Sequence, residues 1–137
     1  MPFDLYDYVD EQNVNVNVIS EWAKGLQTRQ RAQVHAKIDL LSLGGTELFP
    51  GTLTGSDVAG ILRLRVKGNV QLRPCLCKGP LHPEMETAFT LLAGAHEKGG
   101  KMLPKGVVET AAARKEKVKA DPAARRSKHV GFEKKVD

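Results

Sequence analysis

The sequence predicts a mixed α/β (α+β) domain, in which an N-terminal strand and a helical hairpin pack on a small antiparallel sheet and a C-terminal helix completes the fold. Three observations carry this expectation. Two alternating runs, Ile61-Leu62-Arg63-Leu64-Arg65-Val66 and Val70-Gln71-Leu72-Arg73-Pro74-Cys75-Leu76, flank the turn residues Lys67-Gly68-Asn69, as in a β-hairpin. Upstream, apolar residues recur twice at helical spacing; near the C-terminus they do so again.

Taken in order, Phe3-Asp4-Leu5-Tyr6-Asp7-Tyr8-Val9 is aromatic-rich and reads as a strand. The alternating Asn13-Val14-Asn15-Val16-Asn17-Val18 extends or replaces it. Asn17 suits a helix N-cap, and Val18, Trp22 and Leu26 then share one helix face, which makes Trp22 a core residue. Thr28 offers a second cap, followed by Val34, Ile38 and Leu41, until Gly44-Gly45 ends the helix. Gly45 to Asp57, rich in Gly, Thr and Pro, reads as a surface loop. The strand pair comes next, then Lys78-Gly79-Pro80 and His82-Pro83, and then an apolar third strand over Thr87 to Ala93. Gly94 to Pro104 is polar and glycine-rich and reads as a loop. A helix from Lys105 carries Val107, Val108, Ala111, Ala112 and Val118 until Asp121-Pro122 breaks it. Residues 1–120 thus form one domain, and 121–137 a basic tail, flexible unless docked.

Charge is unevenly placed. Residues 1–94 hold nine Lys and Arg against ten Asp and Glu, whereas 95–137 hold twelve against six, so the basicity is mostly C-terminal, with the strand pair as a second focus. At period two, Arg63 and Arg65 share one face of the first run, and Arg73 joins them from the second, opposite Leu72 and Leu76. Three arginines on the wet face of a ribbon suit a phosphate-rich partner. The cluster Lys115, Lys117 and Lys119 interleaves with Glu116 and reads as a solvated helix face. Cys75 and Cys77, two apart in one strand, are placed badly for a mutual disulfide and lack the ligand company of a zinc site, so they read as reduced packing residues. No apolar stretch approaches the roughly 18 residues of a membrane span, and the acidic N-terminus lacks the pattern of a signal peptide, from which a cytoplasmic protein is expected.

Three stretches together resemble the RelE/HigB-like toxins of type II toxin-antitoxin modules, in their phage-derived branch. They are Ile19-Ser20-Glu21-Trp22-Ala23-Lys24-Gly25-Leu26; Leu62-Arg63-Leu64-Arg65 with Gly68 and Leu72-Arg73; and Phe89 through Lys98, leading to Pro104 and the helix Val108-Glu109-Thr110-Ala111-Ala112-Ala113-Arg114. The resemblance spans residues 15 to 120 and implies a RelE-like fold. It also implies a ribosome-dependent endoribonuclease that cuts messenger RNA, with a cognate antitoxin, the ribosome and mRNA as partners and no metal or organic cofactor.

Such cleavage activates a 2′-hydroxyl against the adjoining phosphate, which calls for cations and for groups that move two protons. Position by position, the resemblance puts Arg63, Arg73 and Lys98 on the scissile phosphate. Arg65 also has a counterpart in the family. With no tyrosine beyond Tyr8, proton transfer falls to His96 or Glu97, or to His129 if the tail folds back. Arg65, Lys67, Lys101, Arg125 and Arg126 are the expected RNA contacts. Two alternatives stay open: a gyrase-inhibiting toxin of the same superfamily fold, and a non-catalytic nucleic-acid-binding phage accessory protein.

Overall fold

In the computed structural model, which describes residues 3–10, 16–80 and 87–129, the apolar run Ala88–Ala93 becomes a strand buried on both faces. The elements are β1 (Asp4–Tyr8), α1 (Val18–Lys24), α2 (Thr28–Gly44), β2 (Leu53–Gly55), β3 (Leu62–Leu64), β4 (Gln71–Leu72), β5 (Cys75–Lys78), β6 (Ala88–Ala93), β7 (His96–Lys98), β8 (Lys101–Leu103), α3 (Val107–Ala120), α4 (Pro122–Arg125) and β9 (Arg126–Lys128). A six-stranded sheet runs β2-β3-β5-β6-β1-β9, and a three-stranded one runs β4-β7-β8.

The mixed α/β class is as expected, and the local reasons hold in detail. Asn17 caps α1, its side-chain oxygen accepting from Ser20 N at 2.9 Å. At the start of α2 the cap is Gln27, one residue before Thr28, and Gln30 Oε1 accepts from Gln27 N at 2.9 Å. Val34, Ile38 and Leu41 bury against the sheet together with Ile19, and Trp22 is partly buried beside them. Gly94 permits that packing: a Cβ there would lie 2.0 Å from Trp22 Cγ.

The meander β3-β5-β6 is antiparallel, but the sheet is not purely so, because β1 lies parallel to β6 with Leu5 opposite Phe89. Nor is one face wet. Leu53, Leu64, Val66, Leu72, Leu76, Phe89 and Leu91 meet α1 and α2 on one side, while Cys75, Cys77, Leu92 and Ala95 meet Val107, Val108, Ala111 and Val118 of α3 on the other. The apolar stripe of a 14-residue helix needs a sheet face to bury it, and α3 takes most of the face expected to be solvated. Both cysteines are buried, as packing residues. A bulge at Leu92 gives α3 an anchor, since Arg114 Nη1 donates to the Leu92 carbonyl at 2.9 Å.

Three segments that read as irregular in the sequence are structured. Gly45–Leu48 is a 3-10 turn, and Leu53–Gly55 pairs with β3, so residues 45–57 are more than a loop. The expected loop at 94–104 is a hairpin whose Gly99 (φ 59°) and Gly100 (φ 77°) form the tight turn between β7 and β8. The tail folds back as well: β9 pairs antiparallel with β1, Asp7 opposite Ser127, so residues 126–128 join the sheet. The alternating run at 13–15 lies outside the described residues, as does His82-Pro83; Val9 bridges Asn17 beyond the strand. Among the described residues no helix is long and apolar enough to cross a membrane.

Candidate functional site

The strand pair bends at Pro74. Before the bend Val66 bridges Leu72, and after it Arg63 faces Cys75, so the predicted hairpin forms, with its second strand divided into β4 and β5. Across the bend the Arg73 amide donates to the Ala95 carbonyl at 2.8 Å, and Gln71 and Leu72 pair with Glu97 and His96. This register decides which side chains meet. Residues directly opposite share a face, so Gln71, Arg73 and Glu97 point one way, and Leu72 and His96 the other.

Glu97 Oε1 accordingly lies 3.4 Å from Arg73 Nε and 3.9 Å from Arg63 Nη1. Arg73 is nearly enclosed, its side chain 7% exposed, with Nη1 donating to the Leu72 carbonyl and Nη2 to Gln71 Oε1, each at 3.0 Å. Burial lowers its pKa below the usual arginine range. Glu97 opposes that shift, and the charges of Arg65 and Arg63 reinforce it. Arg73 therefore orients Glu97 and has little surface left to present to a substrate. Arg63 is more open: Nε donates to the Gly55 carbonyl at 2.8 Å, and its side chain is 26% exposed.

Arg63 and Glu97 both line a cleft of about 610 Å³, walled by the β7-β8 hairpin, by Asp57 and Val58, and by the first residues of α3. Lys101 stands at the same cleft. So do Asp57 and Glu109, which makes the cleft mixed in charge rather than the uniformly cationic platform expected. Nothing in the sequence around Asp57, Gly106 or Glu109 marks them for this position, because they reach it only through the fold of α3 over the sheet. Cys75, on the arginine side of β5, is pushed up to about 11 by burial, against the pull of Arg63, and stays a thiol.

The other expected site residues lie apart. Lys98, next to Glu97 on β7, projects from the opposite face and is exposed at the hairpin tip, so strand parity separates it from Arg63 and Arg73. His96 shares the face of Lys98, opposite Leu72 and Leu103. Arg65 and Lys67 line a separate cavity beside α2. The tail residues sit at the far edge of the sheet: the Arg126 guanidinium lies 4.1 Å from the centroid of the Tyr6 ring, and Arg125 precedes it at the end of α4. His129 is there too, with Nδ1 2.8 Å from Asp7 Oδ2, itself held by Asn17 Nδ2 at 2.9 Å. Four strand spacings of about 4.8 Å, roughly 19 Å, divide β9 from β3, so His129 does not serve the Glu97 cleft. Among the described residues no cluster of His, Cys, Asp and Glu is arranged to hold a metal ion.

No family model, curated protein or solved structure matches the chain in the comparisons with known proteins.

Proposed function

We propose that this protein is a RelE/HigB-like toxin, a cytoplasmic endoribonuclease that cuts messenger RNA on the ribosome and is neutralised by a cognate antitoxin. The observation that carries the reading is the Arg63-Glu97-Arg73 arrangement: one carboxylate between two guanidinium groups, facing a cleft. Its chemistry fits transesterification. Glu97 takes the proton of the 2′-hydroxyl, the 2′-oxygen attacks phosphorus, and the bond from phosphorus to the 5′-oxygen breaks. Arg63 stabilises the charge that gathers on the phosphoryl oxygens, and Arg73 holds Glu97 in place. Lys101 gives a proton to the departing 5′-oxygen, leaving a 2′,3′-cyclic phosphate and a 5′-hydroxyl. A carboxylate base replaces the tyrosine that this chain lacks near its C-terminus.

Lys98 has no part in this mechanism, which departs from the role the resemblance implied for it. The test is expression of the chain alone in bacteria with pulse labelling of protein and DNA synthesis. Protein synthesis should fall first, with shortened messenger RNA. An early fall in DNA synthesis with intact messenger RNA would point instead to a gyrase target.

A further inference from the structure

A second cavity, about 500 Å³, lies between the outward side of α2 and the start of the β3-β4 turn. Its volume falls in the range of ligand sites, about 300–1,000 Å³. Lys37 from α2 and Arg65 and Lys67 from the strand end line it, with Gln33 and Thr52 between them, and no carboxylate is among the lining residues. The contrast with the Glu97 cleft is sharp, because there acidic and basic side chains are mixed. Among the described residues, Lys37, Arg65 and Lys67 form no side-chain hydrogen bond or ion pair, whereas Lys24, Lys119 and Lys128 each have a carboxylate partner. Three cations gathered without a counter-charge repel one another, and a bound polyanion relieves that repulsion.

We propose that this cavity is a second phosphate site, which grips the RNA strand apart from the cleft where it is cut. Arg65, just past the end of β3, lines this cavity with α2, whereas Arg63 within β3 lines the Glu97 cleft with α3. A phosphate of the bound RNA, distinct from the one at Arg63, sits here with Lys37, Arg65 and Lys67 closing around it. The inference rests on the nuclease reading for the identity of the polyanion. It assigns substrate grip to a helix residue, Lys37, that no sequence pattern marks.

The experiment measures binding of the full chain to a fluorescent ten-nucleotide oligouridylate across salt concentrations, without ribosomes. The double variant K37Q/K67Q removes two charges from the cavity lining; K24Q/K119Q removes two from ion pairs elsewhere as a control. Removing one lysine–phosphate pairing should flatten the slope of log affinity against log salt by about 0.7, so K37Q/K67Q should flatten it by about 1.4 and bind roughly tenfold more weakly at low salt. The control should match the parent. Equal slopes for the two double variants, or no binding by the parent at low salt, would overturn the inference. A cavity-dependent slope in a protein that cuts no RNA on ribosomes would leave this site standing and remove the nuclease reading instead.

Discussion

Glu97 Oε1 lies 3.4 Å from Arg73 Nε, which joins the β7-β8 hairpin to the bent strand pair through a guanidinium that is only 7% exposed. The contact is structural before it is chemical. Arg73 also holds Gln71 and the Leu72 carbonyl, so one side chain fixes the strand at its bend and the carboxylate above it.

Arg73→Ala should therefore damage the fold as well as the activity. Losing this nearly enclosed guanidinium costs roughly 2 kcal/mol, because Gln71 Oε1 loses its donor and Glu97 keeps only water and the longer contact to Arg63. Urea denaturation should show the midpoint falling with an unchanged slope. A variant as stable as the parent would mean that Arg73 is not the support for Glu97.

The docked tail makes a second prediction. A chain ending at Arg125 loses β9 and leaves the carboxylate of Asp7, 3% exposed as a side chain, without His129. Loss of the β1-β9 backbone pairing together with the His129 contact costs about 3 kcal/mol, and melting should drop by on the order of 10 °C. Ribosome binding per folded molecule should hardly change, since β9 stands at the sheet edge away from the cleft. Unchanged melting would show that β9 adds nothing to the domain.

Alkaline pH tests the burial of Cys75. Its pKa in the folded chain is raised from 9.0 to about 11, so the unfolded chain ionises first and releases its proton more readily. The stability that Cys75 contributes is intact below pH 9.0 and is lost as pH rises from there through about 11. Cys75→Ala should flatten this part of the stability profile. Equal profiles for the variant and the parent would place the thiol in water.

Much of this arrangement is legible in the residues, and the exceptions share a cause. Asn17, the spacing of Val34, Ile38 and Leu41, and the alternation through Arg63 and Arg73 are local signals, and each produces the expected element. The β7-β8 hairpin escapes sequence reading because His-Glu-Lys and Lys-Met-Leu show no clear alternation; Gly99-Gly100 is its single mark. Reading that stretch as a loop also conceals its parity, and without parity Lys98 and Glu97 fall together. β9 has no apolar residue at all. It is held by backbone pairing with β1 and by the contact of His129 with Asp7, 122 positions away, which no local pattern encodes.

The central claim is that Glu97, held by Arg73 and beside Arg63, is the base that starts RNA cleavage. Purified protein added to translating ribosomes should cut messenger RNA at codon-fixed positions and leave 2′,3′-cyclic phosphate ends. Glu97→Gln keeps the shape and an acceptor for Arg73 but cannot take the proton, so the cutting rate should fall by about 10²- to 10⁴-fold in a protein that still folds, with a urea midpoint below the parent's because the nearly enclosed Arg73 loses its counter-charge. Lys98→Ala, on the opposite face of the strand, should cut nearly as fast as the parent. Undiminished cutting by the folded Glu97→Gln protein, or no cutting by the parent, would contradict the account.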